Sequence, residues 1–95
     1  MLTGNELYVV VKLSTGEQVM GVLQLEDEDY IQLYSPMVLR TVPIFNEGRE
    51  HITANPYCQF TEDLEFNFHK KDILFIKPLA RLMIPNYIRI VNEHE

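Results

Sequence analysis

The stretch Leu7-Tyr8-Val9-Val10-Val11-Lys12-Leu13-Ser14-Thr15-Gly16-Glu17-Gln18-Val19-Met20-Gly21-Val22-Leu23-Gln24-Leu25 decides the fold. Its first seven residues are dense in β-branched side chains, which suit a pleated surface and read as a strand. Successive side chains alternate, so Val9, Val11 and Leu13 share one face while Tyr8, Val10 and Lys12 share the other. Ser14-Thr15-Gly16-Glu17 is a turn signal, with Gly16 able to take positive φ. Gln18 to Leu25 reads as a second strand, carrying Val19, Gly21, Leu23 and Leu25 on one face. A glycine inside a strand weakens it and marks a sharp bend or a close backbone approach, so Gly21 predicts a strongly curved sheet.

Beyond this hairpin, Glu26-Asp27-Glu28-Asp29 is too charged for a strand and reads as the next turn. A third strand follows from Tyr30 to Tyr34, with Ile31 and Leu33 on one face and Tyr30, Gln32 and Tyr34 on the other. Ser35-Pro36 interrupts it, and Met37 to Val42 resumes. Pro36 lacks an N–H and implies a bend or an edge. Over 43–58 the alternation dissolves, and the spacing predicts a long loop insertion or an irregular hairpin around Asn46-Glu47-Gly48. Alternation returns in Leu64-Glu65-Phe66-Asn67-Phe68-His69, with Leu64, Phe66 and Phe68 expected to face inward. Lys70-Lys71 closes that strand, and Asp72 to Lys77 forms another, stopped by Pro78. In the tail, 79–95, the spacing of Ile84, Tyr87, Ile88 and Val91 favours a short helix with Pro85 in its first turn, although Tyr87 to Val91 also fits a strand.

A chain of 95 residues holds a single domain. Hydrophobic residues make up 46% of it, enough for a core and too many for a disordered segment. No apolar run approaches a membrane span. The start, Met1-Leu2-Thr3-Gly4-Asn5-Glu6, lacks the pattern of a secretory signal. One cysteine, Cys58, cannot close an internal disulfide and fits a reducing compartment, so a cytoplasmic location is expected. The formal net charge of −6 disfavours tight, non-specific binding to nucleic acid, which needs a cationic surface to displace counterions.

These signals describe an all-β domain, a small, strongly bent, five-stranded barrel of the SH3-like kind. Their order resembles the Sm-like family, which includes Sm, LSm and bacterial Hfq-type proteins, and in particular its divergent phage and environmental members. In that family's first motif an apolar strand precedes a turn glycine, a second glycine five residues on, and an acidic residue six beyond that. The matching positions here are Leu13, Gly16, Gly21 and Asp27, with Leu23 at an apolar position between them. The second motif matches over Phe68 to Pro78 in length and apolar pattern, but His69 stands where the family has arginine and Lys70 where it has glycine.

The resemblance implies a homo-oligomeric ring, of roughly five to seven copies, holding single-stranded RNA at its pore. By motif position Asp27 is the acid and Tyr30 the residue that stacks on a base. The family's asparagine falls on Ile31, or on Gln32 if the turn shifts by one residue. His69 and Lys70 supply the basic contribution, repeated on one rim by every copy. Against this, Asp27 also reads as a solvated turn carboxylate, Tyr30 as a half-buried strand aromatic, and His69-Lys70-Lys71 as a solvated hairpin end. Ring assembly has a further warrant: an open barrel leaves two unpaired edges, and the last two strands carry Phe66, Phe68, Leu74, Phe75 and Ile76, apolar on more than one face.

No catalytic or metal constellation stands out, and neither an enzyme nor a cofactor is expected. His51, His69 and His94 are widely separated and show no ligand spacing with Cys58, which reads as a small buried hydrophobe. Two functions remain: a ring that binds single-stranded RNA, and a structural or protein-interaction ring that has lost RNA binding and docks its partner through the 43–58 insertion.

Overall fold

The computed structural model describes residues 2–44 and 49–94. Strands β1 (Tyr8–Leu13) and β2 (Gln18–Glu26) form the expected antiparallel hairpin, with Lys12 opposite Gln18 and Val9 opposite Gly21. Gly16 sits in the left-handed region at φ 99° and donates its N–H to the Leu13 carbonyl at 2.9 Å, closing the turn.

Strand β3 (Tyr30–Ile44) is continuous through Ser35-Pro36 rather than broken there. Its pairing with β2 skips a step at this point: Met20 faces Met37, yet Val22 faces Tyr34, so Ser35 and Pro36 together oppose Gly21. This is a bulge, and it bends the ladder. Ser35 takes positive φ, 49°, to make the turn. A Cβ on Gly21 would lie 3.3 Å from the Tyr34 carbonyl oxygen and 3.5 Å from Pro36 Cα, so the bend is built on the absence of a side chain.

The bend divides the partners of β3. Strand β4 (Arg49–Pro56) pairs with its second half, from Met37↔Pro56 to Ile44↔Arg49, and strand β5 (Glu65–His69) pairs with its first half, from Tyr30↔His69 to Tyr34↔Glu65. Of the two readings of 43–58, the hairpin agrees with the structure and the long loop is corrected: Arg49–Pro56 is a strand paired with β3, and the irregular stretch is Tyr57–Leu64 between β4 and β5. The turn expected around Asn46-Glu47-Gly48 lies outside the described residues. A single 3-10 turn, Lys70–Asp72, leads into β6 (Ile73–Pro78), which pairs antiparallel with β1. The sheet thus has six strands rather than five, in the order β4-β3-β2-β1-β6 with β5 alongside β3. Among the described residues β5 and β6 each have a strand partner on one side only.

The tail is helical, as its spacing favours: α1 runs Ile84–His94 with Pro85 in its first turn. The curved sheet buries both faces. Val9, Val11, Leu13, Val19, Ile31, Leu33, Val38 and Phe68 fill the concave interior. On the opposite face Tyr8, Met20, Val22, Met37 and Leu79 are covered by Tyr87 and Val91 of α1. Each such side chain withdrawn from water contributes about 1.5–3 kcal/mol. A sheet covered on both sides explains why Leu7–Leu13 is apolar almost throughout instead of cleanly alternating. The architecture is a small, bent, barrel-like all-β fold closed on one face by a short helix.

Candidate nucleic-acid interface

Three turns meet at one end of the sheet. The β2–β3 turn is organised by Asp27, whose Oδ1 accepts the N–H groups of Asp29 at 2.8 Å and Tyr30 at 2.7 Å. Those two donors, with a smaller contribution from the Lys70 ammonium, hold the Asp27 carboxyl below its ordinary range. The 3-10 turn is stitched to this one through the Lys70 N–H, which donates to the Asp29 carbonyl at 2.8 Å. It is stitched to the β1–β2 turn through the Asp72 carbonyl, which accepts the Ser14 N–H at 2.8 Å.

On the outward face beside these turns, the β3–β5 register sets Tyr30 directly opposite His69 and Gln32 opposite Asn67. The Tyr30 and His69 rings lie 4.3 Å apart between centroids, tilted by 47°. A shallow cavity of about 380 Å³ opens here, bordered by Leu25, Asp27, Tyr30, Gln32 and Asn67 among others. Lys70 Nζ is 2.9 Å from the Glu26 carboxylate.

All five expected site residues, Asp27, Tyr30, Gln32, His69 and Lys70, are therefore gathered at one end. Of the two residues left open by the register, Ile31 is fully buried in the interior, while Gln32 is half-buried opposite Asn67 at the cavity that both border. Asp27 fits the turn-carboxylate reading, since one of its oxygens is spent on the turn. Sequence reasoning missed Asn67 and Glu26. Asn67 was accessible to it, because alternation that turns Phe66 and Phe68 inward turns Asn67 and His69 outward. The Glu26–Lys70 ion pair was not, because it depends on a turn-to-turn contact between distant segments.

The local charge is acidic. Glu26, Asp27, Glu28, Asp29 and Asp72 outnumber Lys70 and Lys71. Such a surface suits an uncharged ring and amide groups that can hydrogen-bond better than it suits phosphate.

The expected assembly residues separate. Phe68 is buried, at 8% exposure, and belongs to the core; Phe66 and Ile76 are half-buried against it. That part of the expectation is corrected, because the inward alternation of β5 commits Phe68 to the interior. Leu74, at 64%, and Phe75, at 43%, remain exposed on β6. Leu64, expected inward, lies just before β5 and is exposed. Cys58 is exposed rather than buried, and His51 is exposed on β4. Among the described residues no group of three or more His, Cys, Asp or Glu side chains is arranged to hold a metal ion, and no helix is long and apolar enough to cross a membrane.

The fold and site together define a small bent β-barrel in which, among the described residues, β4, β5 and β6 are each paired on one side only, with an aromatic–amide patch at one end. No protein-family model matches the chain, and no curated protein matches it.

Proposed function

We propose that the protein is an Sm-like ring-former that holds single-stranded RNA by its bases at the Tyr30–His69 end of the sheet. The observation that carries this reading is the pairing of two rings in tilted contact, Tyr30 and His69, with two adjacent amides, Gln32 and Asn67, on the outward side of the β3–β5 ladder. An unstacked base offers a π-face and a hydrogen-bonding edge, and these side chains complement both. Repetition around a ring turns one weak subsite into a multivalent surface. The open edges of β5 and β6 support the ring, since a head-to-tail contact between two different edges closes on itself. In this reading the protein is not an enzyme.

One observation favours a second reading. Lys70, a main source of positive charge at the site, is engaged by Glu26 amid a majority of carboxylates. A ring of such subunits would serve as a protein-interaction scaffold, its partner docking on the β3–β4 hairpin where Val42 and Ile52 are exposed.

Fluorescence anisotropy with short oligo-U and oligo-A at low salt, with particle size measured in the same buffer, separates the two. Micromolar or tighter binding that is lost in the His69→Ala/Lys70→Ala double variant supports the RNA ring. An assembled protein that leaves both RNAs unbound selects the scaffold.

A further inference from the structure

We propose that the excursion Tyr57–Leu64 is an assembly element that docks beside β6 on a second copy of this chain, with Phe60 packing against Leu82 of the neighbouring copy. The inference rests on the ring reading above and specifies where its subunits grip.

The excursion leaves the sheet opposite the Ser35–Pro36 bend, and both of its ends are fastened there. The Tyr57 N–H donates to the Pro36 carbonyl at 2.9 Å, and the Ser35 N–H donates to the Leu64 carbonyl at 2.6 Å. Between these anchors Phe60 is 98% exposed. Beyond β6, Leu82 is 89% exposed. A single surface hydrophobe needs no explanation, but two nearly bare large ones, each beside a different open sheet edge, match the two halves of a head-to-tail contact.

Charge and strand direction agree on the pairing. Residues 57–67 carry Glu62, Asp63 and Glu65 and no cation, whereas residues 73–83 carry Lys77 and Arg81 and no carboxylate. Every pairing in this sheet is antiparallel. An antiparallel ladder between β5 of one copy and β6 of the next sets the N-terminal end of β5 beside the C-terminal end of β6. The excursion precedes β5 and Arg81-Leu82 follow β6, so the acidic segment meets the basic one. A parallel ladder would instead carry the excursion to the Lys70–Asp72 end.

The test is sedimentation velocity on the full chain across a concentration series, with thermal unfolding as a check on the fold. Phe60→Ser and the reversal Glu62→Lys/Asp63→Lys alter exposed side chains only, and each is expected to raise the concentration of half-assembly about tenfold or more. Lys77→Glu/Arg81→Glu is expected to do the same, and joining both reversals in one chain should restore assembly to within about threefold. A wild-type chain that stays monomeric would sink the ring and this inference together. Assembly that Phe60→Ser and the reversals leave unchanged, or that the joined reversals fail to restore, would leave the ring standing and remove the excursion from it.

Discussion

The Tyr87 hydroxyl donates to the Ser35 carbonyl across 2.9 Å and lies 2.9 Å from the Tyr34 carbonyl as well. Both acceptors sit at the bulge, where the backbone has left regular pairing with β2 and its oxygens need other donors. The helix is thus tied to the sheet at the point of strongest curvature. Tyr87→Phe keeps the packing and removes the hydroxyl donor from both carbonyls, and should cost about 1–3 kcal/mol in denaturant unfolding at fixed protein concentration. Tyr87→Ala also opens a cavity and should cost about 3–5 kcal/mol.

The two hairpin glycines should respond differently to the same change. Gly21→Ala brings a methyl against backbone atoms that cannot rotate away, 3.3 Å from the Tyr34 oxygen, and should destabilise by about 1–3 kcal/mol. Gly16→Ala meets open space, so its cost of about 1–2 kcal/mol comes from φ 99° alone, and Gly16→Asn should recover part of it. An alanine at position 21 as stable as wild type would mean that the bend does not depend on a bare backbone.

Glu6 and Tyr8 tie the N-terminal segment to the helix and make its stability pH-dependent at both extremes. The Tyr8 hydroxyl donates to Glu6 Oε2 at 2.7 Å, and its ring meets Tyr87 edge-on at 5.8 Å. That bond, with backbone donation from Thr3, lowers the Glu6 carboxyl from 4.5 to about 2. Its contribution to stability is present above about pH 4.5 and should fade as pH falls towards 2. Burial first, then the Glu6 carboxylate, raises the Tyr8 phenol from 10.0 to about 12. Its contribution holds below pH 10 and is lost as pH rises through 12, because the unfolded chain releases the proton first. Phenolate absorbance should show Tyr8 among the late-titrating tyrosines, together with Tyr57, whose phenol burial also raises, and Tyr8→Phe should remove its share; Glu6→Gln should remove the Glu6 part of the acid-side dependence and leave the part due to Asp27.

At the proposed RNA site, the role of Asp27 can be separated from that of the rings. Asp27→Asn keeps an oxygen for the Asp29 and Tyr30 N–H groups and should leave binding within about threefold, whereas Asp27→Ala frees the turn and should weaken it further. Tyr30→Ala removes the stacking partner and should cost about 1–3 kcal/mol of binding for each base that stacks on it. On the proposed reading bases rather than phosphates make the contact, so the wild-type affinity should fall only gently with salt in an anisotropy titration.

Much of this was legible in the sequence where local chemistry dominates. Gly16 and Gly21 announce a turn and a bend, and the helical spacing of Tyr87 and Val91 survives in α1. The bend expected at Ser35-Pro36 is there, but the strand is not interrupted, and only the opposing Gly21 shows the bend to be a bulge within one strand. Strand β4 was readable only as one arm of the irregular hairpin, because Ile52, Ala54 and Pro56 alternate with His51, Thr53 and Asn55 over too short and too weakly apolar a run to exclude a loop. Its register with β3, which packs Ala54 against the core, makes it a strand. Tyr30 and His69 were each singled out, but their tilted ring contact is a product of the β3–β5 register, which no local pattern encodes.

The Lys70–Asp72 turn joins β5 and β6, two of the three strands paired on one side only among the described residues, and is hydrogen-bonded to both neighbouring turns. The angle between those edges therefore passes through three residues held in a rigid frame. In the proposed head-to-tail ring that angle would be the wedge each copy contributes to the circle, and this short turn, rather than the large hydrophobic core, would set how many copies complete it. Lengthening the turn by one residue should change the copy number while leaving the barrel intact.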